Sequence, residues 1–271
     1  MGVPAAASTY HATDGAAYEV FLGRWTRRLA QPLLDFAAFP EEGRLLDVGC
    51  GTGSLAHAMA ARWPSRQVIG IDIAKPYVAF ARSQHRLDSL TFEAADAGKL
   101  PYADASFAGA MAQLVLNFVP DTAAALNEMK RVTRRGGRLV AAVWDFRGGL
   151  VYQRIFWDTA AGIDARAAAA RDRLFSGPLA LPDGLAALFT SAGLGRVERT
   201  SITIRMDYAS FADYWQPLCG GQGPVGTYLA ALAPDVRARI EQAVAVAYRS
   251  GAPDGPRSLT ATAWAVRGNV E

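Results

Sequence analysis

Nine residues, Leu45-Leu-Asp-Val-Gly-Cys-Gly-Thr-Gly53, constrain this 271-residue chain more than any others. An apolar run ends at a turn carrying three glycines, and a helix-forming segment, Ser54–Arg62, begins at once. Glycines at 49, 51 and 53 remove Cβ atoms from the turn, so a ligand can approach the backbone closely. At the end of the first strand of an open sheet, such a turn marks a ligand crevice. The spacing excludes two ligand classes. A dinucleotide fingerprint needs its third glycine three positions after the second, but counted from Gly49 and Gly51 that position is Ser54. A phosphate loop needs Gly-Lys-Ser/Thr, and no lysine is present. Asp47, two residues before the first glycine, would repel a pyrophosphate and suits a cationic ligand.

Downstream, apolar runs at 44–48, 67–71, 90–93, 107–114 and 138–144 alternate with helix-like segments. The helices are expected at Ser54–Arg62, Pro76–Ser83 and Thr122–Val132. The third has Asp121 as N-cap, Leu126, Met129 and Val132 on one face, and Gly136 as terminator. This alternation implies βαβ units and a parallel sheet covered on both faces. After Asp145 the rhythm changes. Tyr152 to Arg173 reads as one long helix and Leu185 to Ala192 as another, while Val197 to Met206 and Leu259 to Val266 alternate like strands. A polar, glycine-rich insertion over 207–257 separates the two strands. No linker marks a second domain, so 1–271 reads as one. Its parts are an amino-terminal lid to 39, a ligand-binding core over 40–145, further sheet and helices over 146–206 and 258–271, and the insertion as a substrate lid.

Apolar residues make up 51% and charged residues 20%, the balance of a chain that buries a core and is not disordered. No run approaches the ~18 apolar residues of a membrane helix, and the first fifteen residues lack a cationic start followed by an apolar stretch. Two cysteines, Cys50 and Cys219, exclude a disulfide framework and argue against a zinc cluster. The expectation is a soluble, cytoplasmic protein with no membrane span and no metal. A net charge of +3, from 28 basic and 25 acidic residues, is too even to predict a nucleic-acid partner.

Two more acids follow Asp47 at strand ends. Asp72, in Val68-Ile-Gly-Ile-Asp-Ile73, is placed to accept hydrogen bonds from both hydroxyls of a ribose. Asp96 lies just past the third strand, in Glu93-Ala-Ala-Asp-Ala97. Any one of them serves equally well as a turn or cap residue; three in succession beside a glycine turn do not look accidental.

These stretches resemble the class I S-adenosylmethionine-dependent methyltransferases, of the group that includes ubiquinone-biosynthesis C-methyltransferases. LLDVGCGTG is similar to their first motif, VIGIDIA to the second and FEAADAGKLPYADASF to the third. MAQLVLNFVPDTAAALNEMKRVTRRGGRLVAAVWD resembles their fourth strand, the following helix and the fifth strand. Arg135 departs from the pattern, which usually has proline before the paired glycines. The resemblance implies a Rossmann-like, doubly wound, seven-stranded mixed sheet whose last two strands form an antiparallel hairpin. It implies S-adenosylmethionine as cofactor, S-adenosylhomocysteine as product, and no metal. Asp47 would orient the ammonium end, while Gly49, Cys50, Gly51 and Gly53 form the turn beneath the methionine portion. Asp72 would hold the ribose, Ile73 pack on adenine, Asp96 and Ala97 meet the adenine amino edge, and Gln113 and Leu114 face the sulfonium. Tyr18, Arg24 and Trp25 would close the crevice from the amino-terminal side, with Arg24 either pairing with the methionine carboxylate or exposed on a helix.

Methyl transfer from a sulfonium needs chiefly proximity and alignment, and a general base only where the acceptor must lose a proton. His57 and His85 read as surface residues of the core, which leaves His11, in the lid, as the candidate base. Cys50 and Cys219 lack an evident basic partner and read as small fillers. Segments 10–25, 144–157 and 208–215 hold 13 of the 27 aromatic residues in 38 positions. Either these segments pack on one another as a satellite core, or Trp25, Tyr152, Phe156, Tyr214 and Trp215 line a pocket for a small, flat or largely apolar methyl acceptor. The expected function is methyl transfer to such a metabolite. A lipid-like quinone intermediate or macromolecule as acceptor, or a sensor that binds the cofactor without turnover, are the alternatives.

Overall fold

A computed structural model of the chain describes residues 12–84 and 87–271. Its strands are β1 (Leu45–Val48), β2 (Val68–Asp72), β3 (Leu90–Ala94), β4 (Phe107–Gln113), β5 (Thr133–Trp144), β6 (Gly195–Tyr208) and β7 (Arg257–Asn269). They form one sheet in the order β3-β2-β1-β4-β5-β7-β6. The first five are parallel, and β7 runs antiparallel between β5 and β6. The chain order reverses between β1 and β4, so the carboxyl ends of these two strands flank the crevice of an open α/β sheet.

Period-two alternation sends each strand into two cores. Val140, Ala142 and Trp144 of β5 belong to one apolar cluster, and Leu139, Ala141 and Val143 to the other. In β1, Leu45 faces the first cluster while Leu46 and Val48 face the second. Asp47 therefore shares a face with Leu45, where an apolar side chain would ordinarily stand. The connecting helices Ser54–Arg62, Lys75–Gln84 and Thr122–Val132 lie where the sequence puts them. Asp121 Oδ1 accepts from the Ala124 amide at 2.8 Å, as its place before the third helix predicts.

The structure corrects three features of the sequence reading. The third helix stops at Val132, because Thr133 already pairs with Phe107; Gly136 lies inside β5 and donates to the carbonyl of Val270 at 2.8 Å. The expected long helix over 152–173 is two, Val151–Ala161 and Ala165–Ser176. Asp164 starts the second by accepting from the Arg166 amide at 3.0 Å, and a capping side chain of this kind competes with helix continuation. The insertion, polar and glycine-rich in sequence, is largely helical and contributes to the core. It forms helices Phe211–Leu218, Gly223–Ala230 and Pro234–Arg249, which bury Trp215, Leu229, Val244 and Tyr248.

Those helices pack on helix Val151–Ala161 and settle the aromatic question. Tyr214 Oη donates to the carbonyl of Tyr152 at 2.7 Å, and the Phe156 ring lies 4.9 Å from Trp157 and 6.2 Å from Trp215. Tyr152, Phe156, Tyr214 and Trp215 are all buried in the core and none lines the crevice. The expectation that they form an acceptor pocket is thus replaced by the satellite-core alternative. Burial on all sides leaves no face for a ligand. Among the described residues no helix is long and apolar enough to cross a membrane. Truncating Trp215 to Ala is expected to cost about 3–5 kcal/mol in chemical denaturation, as for a large core aromatic; a loss under about 1 kcal/mol would return this side chain to a solvent-lined pocket.

Candidate functional site

A cavity of about 350 Å³ opens at the carboxyl ends of the parallel strands, within the usual size of a small-molecule site. Gly49 and Gly51 from the turn after β1, Asp72 at the end of β2 with Ile73 and Ala74 beyond it, and Asp96 with Ala97 after β3 form one side. Gln113 and Leu114 stand at its middle, and Trp144 and Phe146 at the end of β5 extend the far side.

The three glycines of the turn all have positive φ, yet they differ in what they leave room for. A Cβ on Gly49 would lie 2.4 Å from Val115, and one on Gly53 would lie 2.8 Å from Phe92. These two positions serve packing within the protein. A Cβ on Gly51 would meet only Tyr77, at 4.0 Å, so its missing side chain leaves space in the cavity itself. The Gly51 amide donates to Asp72 Oδ2 at 2.8 Å, and the Ala74 amide donates to Oδ1 at 2.8 Å. Asp72 thereby locks the two turns together and keeps a spare lone pair on each oxygen. Burial pushes its carboxyl up, and these amides partly oppose the shift. Asp96 accepts from the Gly98 amide at 2.8 Å and lines the same side. Ile73 is 53% exposed at the mouth, an apolar surface offered to a ligand.

Behind the turn lies a recess of about 20 Å³, lined by Tyr18, Thr26, Asp47, Cys50, Thr52 and Gln113 among others. That is room for about one water-sized group. Asp47 is 0% exposed and neither carboxylate oxygen has a hydrogen-bond partner; Gln113 Oε1 is likewise unpartnered. Gln113 is held in place by its Nε2, which donates to the Thr26 carbonyl at 3.1 Å. Three acceptor atoms without donors therefore border one small recess. Burial pushes the Asp47 carboxyl up to about 8, and the neighbouring Asp72 adds to this. The Ala56 amide, near the start of helix Ser54–Arg62, offsets it in part. Such a site is unfavourable when empty and favourable around a cation that donates hydrogen bonds.

The amino-terminal segment covers part of the cavity through Ala12, Tyr18, Phe21 and Leu22. The last two lie in a π-helical turn, Glu19–Gly23, a local irregularity frequent at functional sites. Glu19 anchors this turn through Thr52 and Arg27. Burial holds the Tyr18 phenol well above its usual range, so it lines the cavity as a neutral group. Gln222 of the insertion fastens the roof: it accepts from Tyr77 Oη at 2.8 Å and donates to Thr13 Oγ1 at 2.9 Å.

Two residues expected over the crevice sit elsewhere. Arg24 Nη1 pairs with Asp213 at 3.0 Å and its guanidinium lies 4.3 Å from the Trp25 ring centroid, while Trp25 is 2% exposed and packs against Tyr208. Neither lines the cavity; the ion pair and the aromatic contact direct both toward the insertion. His11, the candidate base, and His85 lie outside the described residues. His57 is half-buried, with Nδ1 2.7 Å from the Gly53 carbonyl. Burial raises the thiols of Cys50 and Cys219, which fits neither as a nucleophile. Among the described residues no three His, Cys, Asp or Glu side chains gather to hold a metal ion. Sequence reasoning missed Phe21, Phe118, Trp144, Phe146 and Gln153 as lining residues. Trp144 alone carried a readable signal, its place at the end of a parallel strand.

Asp47 gives a pH signature. Its folded pKa lies above the unfolded value, so its contribution to stability is full at low pH and is lost as pH rises from about 4 through about 8, by up to about 1.4 kcal/mol per unit. Asp47→Asn does not titrate. Without ligand, its melting temperature is expected to rise relative to wild type between pH 5 and 9. A constant difference across that range would mean that the carboxylate is solvated.

A family profile described as a methyltransferase domain matches residues 46–141. A demethylmenaquinone methyltransferase of Thermus thermophilus is 37% identical over 141 residues, covering 49% of this chain and 61% of that protein. The first relatives found are covered over only about 39–61% of their own length. Among solved structures, phosphoethanolamine N-methyltransferase 2 of Haemonchus contortus, in complex with S-adenosyl-L-methionine, superposes with a TM-score of 0.57 at 14% identity, over 95% of this chain and 57% of that one. The (4+2)-cyclase SpnF superposes with a TM-score of 0.54 at 22% identity, over 99% and 89%. These two likenesses concern the fold. Taken with the motif residues and the sheet order, the match over 46–141 identifies this chain as carrying a class I S-adenosylmethionine-dependent methyltransferase domain.

Proposed function

We propose that the protein transfers the methyl group of S-adenosylmethionine to a small, largely apolar acceptor. The observation that carries the reading is the recess with three unpartnered acceptor atoms, Asp47 Oδ1 and Oδ2 and Gln113 Oε1, beside the space that Gly51 leaves open. An ammonium group satisfies those atoms. Asp72 has the spare lone pairs to take two ribose hydroxyls, and Ile73 and Ala97 offer apolar surface to a base. S-adenosylmethionine, when bound, supplies an electrophilic methyl group that an acceptor nucleophile displaces in line.

The chain's own residues then have three tasks. Asp47, Asp72 and the glycine turn fix the donor; effective concentration and alignment of this kind can lower a barrier by roughly 7–11 kcal/mol. Phe21, Leu22, Phe118, Trp144 and Phe146 give an apolar wall on the far side and keep water from the reacting centre. Gln222, tied to Thr13 and Tyr77, holds the roof over both. An apolar wall suits a flat, weakly polar acceptor, of the kind named for the Thermus relative, better than a macromolecular backbone. Methyl transfer is not dictated by the fold, since SpnF is named as a cyclase. Release of S-adenosylhomocysteine from labelled S-adenosylmethionine in a metabolite extract separates an enzyme from a sensor.

S-adenosylhomocysteine at about 100 times its dissociation constant is expected to add about 2.7 kcal/mol of stability, roughly 5–10 °C in melting temperature for a chain of this size. Gly51→Val should remain folded at a cost of about 1–2 kcal/mol for its left-handed backbone and should lose the ligand-induced shift. A shift with NAD and none with S-adenosylhomocysteine would overturn the cofactor.

A further inference from the structure

The cavity changes character beyond Gln113 and Leu114. Its two carboxylates, Asp72 at the end of β2 and Asp96 just past β3, lie on the glycine-turn side, and among the described residues no Lys, Arg or His lines any part of it. The far side is apolar except for two polar side chains. One is Trp144, 3% exposed, whose Nε1–H has no hydrogen-bond partner among the described residues. The register pairs Gln113 with Ala142, so Trp144, two residues on, leaves the same face of the sheet as Gln113. One strand across and two residues along put their Cα atoms about 8 Å apart. Trp144 thus stands one step beyond the residue that borders the cofactor recess. The other is Gln153, 5% exposed. Its amide is fixed from both ends: Nε2 donates to Tyr152 Oη at 2.9 Å, and Oε1 accepts from Trp157 Nε1 at 3.3 Å. Nε2 carries two hydrogens, and Tyr152 takes one.

We propose that Trp144 and Gln153 read an oxygen of the methyl acceptor, which is an uncharged, largely apolar molecule whose carbonyl-type oxygen takes the Trp144 Nε1–H and the second Gln153 Nε2–H. The proposal rests on the reading of this cavity as the cofactor and acceptor site. Two neutral N–H donors match the two lone pairs of a carbonyl oxygen. They do not match a carboxylate or phosphate, which would leave water for walls in which the described residues offer no cationic side chain. The same two donors disfavour a pure hydrocarbon, because it would leave both unpaired.

Acetophenone, ethylbenzene and benzoate share one ring; ethylbenzene lacks the carbonyl oxygen of acetophenone, and benzoate carries a charged oxygen in place of its methyl group. They are titrated into protein saturated with S-adenosylhomocysteine, as wild type and as Trp144→Phe, by calorimetry and by nitrogen-15 NMR of the indole N–H groups. The Trp144 resonance is identified by its absence in the variant. In wild type it should move with acetophenone and stay with ethylbenzene. Acetophenone should bind about fivefold more tightly than ethylbenzene, and this preference should fall to about twofold or less in Trp144→Phe, where only the Gln153 donor is left. Benzoate should bind at least roughly tenfold more weakly than acetophenone. Equal binding of acetophenone and ethylbenzene, or a preference undiminished in Trp144→Phe, overturns the assignment; tight benzoate binding overturns the uncharged class. Failure of S-adenosylhomocysteine to bind wild type appears in the first titration and overturns the cofactor reading on which the proposal stands.

Discussion

A carboxylate in a position made for a hydrocarbon governs the site. Asp47 stands on the face of β1 that carries Leu45 into the core, and neither of its oxygens has a hydrogen-bond partner among the described residues, the Ala56 amide only easing the charge. A buried charge without a partner is costly, and the protein meets that cost by raising the proton affinity of the group. The energy is recovered only when a cation enters. Placing such a group on a rigid central strand, and not on a loop, keeps it within reach of the ligand without flexibility of its own. The strain at Leu114, whose φ of 64° is unusual for a branched residue, lies across the same crevice.

Asp72 solves a different problem. Its two oxygens are already committed to the amides of Gly51 and Ala74, so it braces the turn before any ligand arrives. The bracing explains why Gly51 can be held open: the amide that points to Asp72 fixes the peptide whose missing Cβ makes the space. Gly49 and Gly53 fail to contribute space because Val115 and Phe92 close on them. Three glycines in one motif thus do two jobs, and the spacing alone does not say which glycine does which.

The glycine-turn half of the site was legible because it is local. Asp47, Gly51, Asp72 and Asp96 each lie at the end of a strand whose alternation is written in its own residues, and the sheet order brings those ends together. The helix Thr122–Val132 was legible for the same reason, through its cap and its apolar face. The apolar half of the cavity was not. Aromatic enrichment in 144–157 and 208–215 is real, but alternate faces of helix Val151–Ala161 decide its meaning. Tyr152 and Phe156 turn into the core, while Gln153 between them borders the cavity. Arg24 was misplaced because its partner, Asp213, is 189 residues away. No periodicity within either segment reports that pairing.

The roof shows how such distant contacts set the behaviour of a local site. Thr13, Tyr77 and Gln222 come from three separate parts of the chain and meet in hydrogen bonds of 2.8–3.3 Å. Moving the amino-terminal segment off the cavity must break those bonds and expose Phe21 and Leu22, which are otherwise 4% and 7% exposed. Each bond contributes a net of about 0.5–1.5 kcal/mol, so the latch itself amounts to roughly 2–4 kcal/mol. Exposing Phe21 and Leu22 adds about 1.5–3 kcal/mol for each side chain, so the closed arrangement is strongly dominant. Ligand contacts on both sides of the crevice then strengthen the closure that the latch begins. The floor of the site is fixed by the sheet, and its accessibility by a few polar contacts between segments that the sheet does not control.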